Sequence, residues 1–226
     1  MVKETFKSAS RNVNSNIVLV ILVGAFSVQI LSGIMTYISL IGLIAAFIIE
    51  IIIYGRIIAE IKGQESPSSL SILKDNWINY IVVTVLLVTP VLLFKQLEHL
   101  LPISSVYTLL VREGLSALIL MATIYVFPIV FLKQEHVIAV FAGISYLIRN
   151  LIGSLPIILL VACVFVLKVS TIFMVLSVYK HTENLTFAIP FGVVSSIIGT
   201  YLAFLIFSAA STVLVQTKPN GILNGA

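Results

Sequence analysis

The feature that most constrains this chain is an almost unbroken apolar run of 42 residues, from Ile17 to Ile58. As one α-helix this run would be about 63 Å long, which is twice the roughly 30 Å of a hydrocarbon core. A run of this length therefore predicts two membrane-spanning helices that turn back on each other. We place the turn at Met35–Ser39, which contains three hydroxyl residues within five positions.

The composition extends this prediction to the whole chain. Of its 226 residues, 60% are hydrophobic and 10% are charged, whereas soluble domains carry roughly 25% charged residues. The mean hydropathy is +1.18, so lipid is the main solvent of this protein. We predict a single integral membrane domain over residues 1–226. The predicted spans are 17–35, 38–60, 78–95, 107–132, 153–176 and 187–215.

Three shorter amphipathic segments precede the predicted hairpins, and each is typical of a helix that lies in the plane of the membrane. The apolar face of the first segment holds Val2, Phe6, Ala9 and Val13. The second follows Ser66 and Pro67, a helix cap and a favoured first helical residue. The third, Val137–Ile148, is twelve residues long. That is too short to cross a bilayer, although a seventh span is the alternative.

An asparagine marks the end of each of these segments: Asn12, Asn76 and Asn150. An apolar residue follows each asparagine directly, and a predicted hairpin comes after it. The pattern favours a threefold repeat, because internal repeats are common in membrane bundles. The alternative is that asparagine gathers at any corner where backbone groups need partners. The predicted fold class is an all-α polytopic membrane bundle of six transmembrane helices arranged as three hairpins, each preceded by an in-plane amphipathic helix.

Basic residues are distributed unevenly between the two sides of this layout, which predicts its orientation. Nine lie on one side: Lys3, Lys7, Arg11, Arg56, Lys62, Lys74, Lys133, Arg149 and Lys218. Four lie on the other: Lys95, Arg112, Lys168 and Lys180. We therefore expect a multi-pass protein of the cell membrane with both termini in the cytoplasm.

The same distribution identifies the expected partners. The net charge of +4 comes from helix ends rather than from a dense basic cluster with interleaved aromatic residues, so nucleic acid is excluded. Basic in-plane helices on the cytoplasmic leaflet favour anionic lipids. The short loops leave other membrane proteins, or further copies of this chain, as the remaining partners.

The stretch YVFPIVFLKQEHVIAVFAGISYLIRNLIGSLP has Pro128 near the end of a span, then a short charged segment, then Asn150 before the next span. Upstream, Gly55 and Arg56 precede a similar amphipathic turn. This layout resembles a broad group of six-span bacterial and archaeal membrane proteins. The group includes the membrane domain fused to some glycerophosphodiester phosphodiesterases. The resemblance implies the six-span arrangement and a lipid-linked or membrane-organising role. It implies no reaction, because the hydrolase chemistry of fused members belongs to a separate soluble domain.

Glu50 is the most unusual residue of the chain, because it lies about two turns inside an apolar span. Placing an ionised carboxylate at such a depth in the membrane costs at least about 2.5 kcal/mol, and such residues are usually functional. It lines a path for an ion or proton, pairs with a basic group or hydroxyl of another helix, or lies nearer the interface. The pattern favours pairing, since a lone carboxylate makes a poor relay. Tyr54, four residues on, shares its helical face and is a candidate donor.

Other polar residues inside the predicted spans are candidates for contacts between helices. Gln29 is suited to an interhelical hydrogen bond. Arg112, Glu113 and Lys168 either frame an outward-facing polar pocket or are separately solvated helix ends. Pro128 and Pro90 are expected to kink their spans.

Catalytic motifs are missing from the sequence. The histidines fall in three different loops, and no metalloprotease motif, nucleophile elbow or phosphate-binding loop is present. We therefore predict a protein that is not an enzyme and needs no cofactor. The favoured function is that of an accessory or organising protein that binds lipid and membrane partners. The alternative is a small permease, or the membrane subunit of a transporter, with a polar path near Glu50.

Overall fold

A computed structural model of the chain describes residues 2–32, 36–65, 67–97, 105–133, 137–182 and 189–216. These ranges contain nine α-helices and no strand. The helices are α1 (Val2–Asn14), α2 (Ile17–Ser32), α3 (Thr36–Lys62), α4 (Ser69–Leu97), α5 (Ser105–Ala122), α6 (Val126–Lys133), α7 (Val137–Arg149), α8 (Leu151–Thr182) and α9 (Ile189–Gln216). The predicted all-α class is confirmed.

Four of the described helices, α3, α4, α8 and α9, are long and apolar enough to cross a membrane. The pair α5–α6 makes a fifth if it is counted as one bent span. The helix α2 has 16 residues and is shorter than any of these. The structure therefore gives four or five candidate spans. The shorter helices are α1, α2 and α7.

Large apolar side chains cover the outside of the bundle. On α8 they include Leu151, Leu155, Leu159 and Val166, and Ile152 is 90% exposed. A soluble monomer rarely presents such a continuous apolar surface to water. Hydrocarbon solvates these side chains without cost, so their exposure fits helices surrounded by lipid.

The span α5–α6 is broken at residues 123–125, where the chain bends by 45°. The break lies one turn before Pro128, whose ring displaces the carbonyl four residues earlier and which has no N–H to donate to it. The buried Tyr125 occupies the break, and its hydroxyl lies 2.8 Å from that of Ser154 on α8. The predicted kink at Pro128 is therefore present. The other proline, Pro90, lies inside α4, which continues through it.

Two of the three predicted asparagine corners are corners in the structure. The helix α1 ends at Asn14 and α2 begins at Ile17, while Asn150 alone separates α7 from α8. The third prediction is wrong, because α4 runs without interruption through Asn76. No separate in-plane helix precedes this span among the described residues.

The start of α4 explains this difference. Its cap is Ser68 rather than Ser66, which lies outside the described residues: the Ser68 hydroxyl accepts a hydrogen bond from the Ser71 N–H at 3.2 Å. The first turns of α4 then pack on α3, where the Ile72 side chain fills the space beside Gly55. This contact packs α4 against α3 at the position of the predicted corner, and α4 stays helical there.

Each amphipathic segment packs on another helix of the bundle. The helix α1 packs on α9, the first turns of α4 on α3, and α7 on α6. In all three cases the partner helix is the last of a predicted hairpin. The helices α3 and α9 contact each other and most of the remaining helices, so they form the centre of the fold.

Candidate intramembrane polar site

Glu50 lies on α3 with its carboxyl group turned towards the centre of the bundle. The Tyr54 hydroxyl donates a hydrogen bond to its Oε1 at 3.0 Å. The two residues are four apart, so they are neighbours on one face of the helix. This is the contact that their spacing predicts.

A second tyrosine approaches the same carboxyl group from another helix. Tyr80 lies on α4, and its side chain is close enough to interact with the Glu50 carboxyl group. The rings of Tyr54 and Tyr80 are 5.9 Å apart between centroids. Glu50 therefore accepts a hydrogen bond from its own helix, and a tyrosine of a second helix lies beside it. Hydrogen bonds of this kind satisfy a polar group that lipid cannot solvate.

A cluster of aromatic side chains packs around the Tyr54 ring of this site. The ring of Tyr54 lies 4.1 Å from that of Phe207 and 5.2 Å from that of Phe204, both on α9. It lies 5.4 Å from the ring of Phe131 and 6.2 Å from that of Phe127, both on α6. Together with Tyr80, these rings bring four helices to one point. Aromatic pairs at such distances stabilise by about 0.5–1.5 kcal/mol beyond their buried area.

The residues of this cluster, other than Tyr54, are absent from the sequence-based candidates. A signal for them exists: Phe127 and Phe131 are four residues apart, and Phe204 and Phe207 are three apart. Each pair therefore shares a helical face. That signal identifies two aromatic faces, but it does not show that both meet the face of α3 that carries Tyr54.

A second polar contact joins α1 to α9. The Asn12 amide donates to the Ser208 hydroxyl at 3.5 Å, and the Tyr201 hydroxyl donates to Asn14 Oδ1 at 3.1 Å. The hydroxyls of Ser10 and Tyr201 lie 3.3 Å apart. These contacts attach the last five residues of α1 to α9.

Two of the three predicted repeat asparagines make the same local hydrogen bond. The amides of Asn76 and Asn150 each donate to the carbonyl four residues earlier, at 2.9 and 3.1 Å. Asn12 instead reaches across to α9, and Asn16 makes the equivalent bond to the Asn12 carbonyl at 3.1 Å. Asn76 and Asn150 therefore supply backbone carbonyls with a partner, whereas Asn12 joins α1 to α9.

The remaining candidates lie apart from Glu50. Lys168 on α8 pairs with Glu113 on α5, with Nζ and Oε2 3.8 Å apart, and its side chain is 57% exposed. The Arg112 carbonyl accepts a hydrogen bond from Ser116 at 3.0 Å. The side chain of Gln29 lies outside the described part of the structure. The described candidates thus form one buried site at Glu50 and one separate ion pair between α5 and α8.

Within the described ranges, no three His, Cys, Asp or Glu side chains converge as the ligands of a metal ion would.

Comparison with known proteins gives no match: no family model, no curated protein and no solved structure matches the chain. The resemblance to six-span membrane proteins therefore stays a prediction from the sequence.

Proposed function

We propose that this chain is a non-catalytic, multi-pass protein of the cell membrane that binds anionic lipid and organises membrane partners on its cytoplasmic face. The observation that carries the proposal is the two-sided structure of α1. The side chains of Thr5, Ala9 and Val13 are buried against the bundle. Lys3 and Lys7 point away from it and are exposed, as is Arg11.

The spacing of these basic residues suits a lipid surface. Lys3, Lys7 and Arg11 are four residues apart, so they form one row along the helix. The hydrogen bonds to Ser208 and Tyr201 keep this row in a constant position relative to α9. Each basic side chain near an anionic leaflet contributes about 1 kcal/mol of binding.

The proposal includes six spans, with both termini cytoplasmic. The hairpins would be α2–α3, α4 with the broken helix α5–α6, and α8–α9. The sixteen residues of α2 cover about 24 Å, most of a hydrocarbon core of roughly 30 Å. In the sequence Ile34 and Met35 continue its apolar run.

Replacing Lys3, Lys7 and Arg11 together with glutamine tests this function. In nanodiscs of phosphatidylcholine and phosphatidylglycerol, we expect the unmodified protein to retain phosphatidylglycerol preferentially when it is transferred to detergent. The triple variant should lose about 100-fold of this preference, because three contributions of about 1 kcal/mol are removed. Native mass spectrometry of the retained lipids measures the ratio. High salt should weaken the preference of the unmodified protein, since exposed charges are screened.

A charge-matched control uses the other side of the proposed topology. Replacing Lys95, Arg112 and Lys180 with glutamine removes the same charge from helix ends that the proposal places outside. This variant should keep the lipid preference. Equal loss in both triple variants, or no preference in the unmodified protein, would exclude α1 as the lipid-binding element.

The second candidate is a small permease with a polar path beside Glu50, and its support is the Glu50 carboxyl group inside the bundle, hydrogen-bonded to Tyr54. In that case Glu50→Gln should abolish proton flux into liposomes loaded with a pH-sensitive dye. Glu113→Gln, which removes a carboxylate from the separate ion pair, should leave the flux unchanged. Absence of flux in the unmodified protein, or flux that persists in Glu50→Gln, would exclude the permease.

A further inference from the structure

A cleft of about 220 Å³ lies at the end of the bundle where α3 is followed by α4. The end of α3, the connecting segment and the first two turns of α4 form its walls, and Phe131 of α6 closes one side. Gly63, with φ of +65°, ends α3, and the Gln64 N–H returns to the Ala59 carbonyl at 3.0 Å. The backbone that frames the cleft is therefore hydrogen-bonded.

One buried polar group in this cleft lacks a partner. Asn76 lines the cleft, and only 8% of its surface is exposed. Its amide nitrogen donates to the Ile72 carbonyl at 2.9 Å, which leaves the amide oxygen as the free end. This Oδ1 has no hydrogen-bond partner among the described residues. Buried polar atoms are nearly always hydrogen-bonded. An unpartnered acceptor therefore indicates that a donor group of a bound ligand hydrogen-bonds to it.

The charge of the cleft indicates what kind of donor that is. Among the described residues that line it, Asp75 is the one with an ionisable side chain. Asp75 accepts a hydrogen bond from Ser71 at Oδ2, at 3.2 Å, so Oδ1 remains for a ligand. A carboxylate beside an amide oxygen binds a cation that carries N–H groups. The ring of Phe131 adds a surface that ammonium groups also favour.

Size and surroundings define the ligand further. The cleft is smaller than the roughly 300–1,000 Å³ of sites that enclose drug-sized molecules, so it suits a small head group. Ile58 and Ile72 provide an apolar wall beside the polar groups, and the exposed Ile78, one turn after Asp75, adds an apolar surface on the same side of α4. Such a combination fits an amine attached to a lipid rather than a free amine in water.

We propose that this cleft binds the primary ammonium group of an aminophospholipid. The ammonium donates to Asn76 Oδ1 and to the Asp75 carboxylate, and the acyl chains lie along the outside of α4. This site is separate from the basic row on α1, and the phosphatidylethanolamine that tests it has no net charge. The inference therefore goes beyond the proposed function and stands independently of it.

Phosphatidylethanolamine and phosphatidylcholine form a matched pair of probes. Both are zwitterionic, but the trimethylated amine of phosphatidylcholine has no N–H to donate. From nanodiscs with equal amounts of the two lipids, the purified protein should retain phosphatidylethanolamine about fivefold over phosphatidylcholine after transfer to detergent. Native mass spectrometry of the protein with its retained lipids gives the ratio. These nanodiscs contain no anionic lipid, so the result does not depend on α1.

Two variants test the residues, and a third controls for stability. Asp75→Asn removes the charge at an exposed position and should reduce the preference to near one. Asn76→Ala should do the same. Asn150→Ala loses an equivalent bond to the carbonyl four residues earlier but lies outside the cleft, so it should keep the preference.

Several outcomes would overturn this assignment. Equal retention of both lipids by the unmodified protein excludes an ammonium site that depends on N–H donors. Preference that survives Asp75→Asn, or that Asn150→Ala abolishes as fully as Asn76→Ala, excludes the cleft as its location. Adding free ethanolamine at about 1 mM should not change the ratio, because the lipid is held at high effective concentration. Loss of the preference at that concentration would assign the cleft to a soluble amine instead of a lipid.

Discussion

Tyr54→Ala is expected to lower the free energy of unfolding by about 3 kcal/mol, the range found when a buried aromatic side chain is removed from a packed core. The Tyr54 ring contacts Tyr80, Phe127, Phe131, Phe204 and Phe207. Within a membrane, helices associate mainly through such packing rather than through the hydrophobic effect. Truncation leaves a cavity where four helices meet, and it also removes the hydroxyl that donates to Glu50. Unfolding by SDS in mixed micelles measures the change.

Tyr54→Phe separates the two contributions. This variant keeps the ring and removes only the hydrogen bond to Glu50 within α3, so we expect a loss of about 0.6 kcal/mol, the average measured for side-chain hydrogen bonds in a membrane protein. A loss as large as that of Tyr54→Ala would mean that the hydrogen bond to Glu50, and not the aromatic cluster, is the main contribution of Tyr54 to stability. A negligible effect of Tyr54→Ala would contradict the described packing.

The second large effect is expected for Gly24→Leu at the contact between α2 and α9. A Cβ atom at position 24 would lie 2.8 Å from the Cα of Ile197, closer than real Cβ contacts allow. Because the neighbour is backbone, the helices must separate, and the hydrogen bond from the Ser196 hydroxyl to the Gly24 carbonyl at 2.9 Å would be lost. Overpacking of this kind costs about 3 kcal/mol. The same SDS titration, with membrane insertion checked first, measures it.

Gly199→Leu provides the matched control on α9. A Cβ atom at position 199 meets no heavy atom within 4 Å, so the added side chain has room. We expect the stability of this variant to stay within about 0.5 kcal/mol of the unmodified protein. Equal destabilisation by the two substitutions would show that the close approach of α2 and α9 is not the cause.

The helices themselves are well predicted by the sequence, because apolar run length sets how much chain is needed to cross a bilayer. The predicted turn at Met35–Ser39 is wrong over residues 36–39, which form the first turn of α3, and Met35 lies outside the described residues. The spans predicted at 38–60 and 153–176 correspond to α3 and α8, which extend two to six residues beyond these limits. Differences of this kind arise because helices continue into the interface until a cap such as Gly63 ends them.

The predicted corner at Asn76 shows where local pattern misleads. The segment before Asn76 resembles the ends of α1 and α7 in composition, yet α4 continues through it. An asparagine does not by itself end a helix. Inside α4 the Asn76 amide donates a hydrogen bond to the Ile72 carbonyl, four residues earlier. The contact between Ile72 and Gly55 decides between the two outcomes. That contact joins residues 17 positions apart in different helices.

The sequence by itself determined the class of the protein, the approximate helices and the neighbours of Glu50 on its own helix. These properties depend on composition and on residues three or four apart, which are adjacent in any α-helix. Only the tertiary structure decided that Tyr80 and the phenylalanines of α6 and α9 complete the site around Tyr54. It likewise decided that Lys168 meets Glu113 and that Asn76 Oδ1 lies unpartnered in a cleft with Asp75. Each of these facts depends on which helical faces meet, and many pairings of apolar faces are nearly equal in energy until close contacts such as that at Gly24 select one of them.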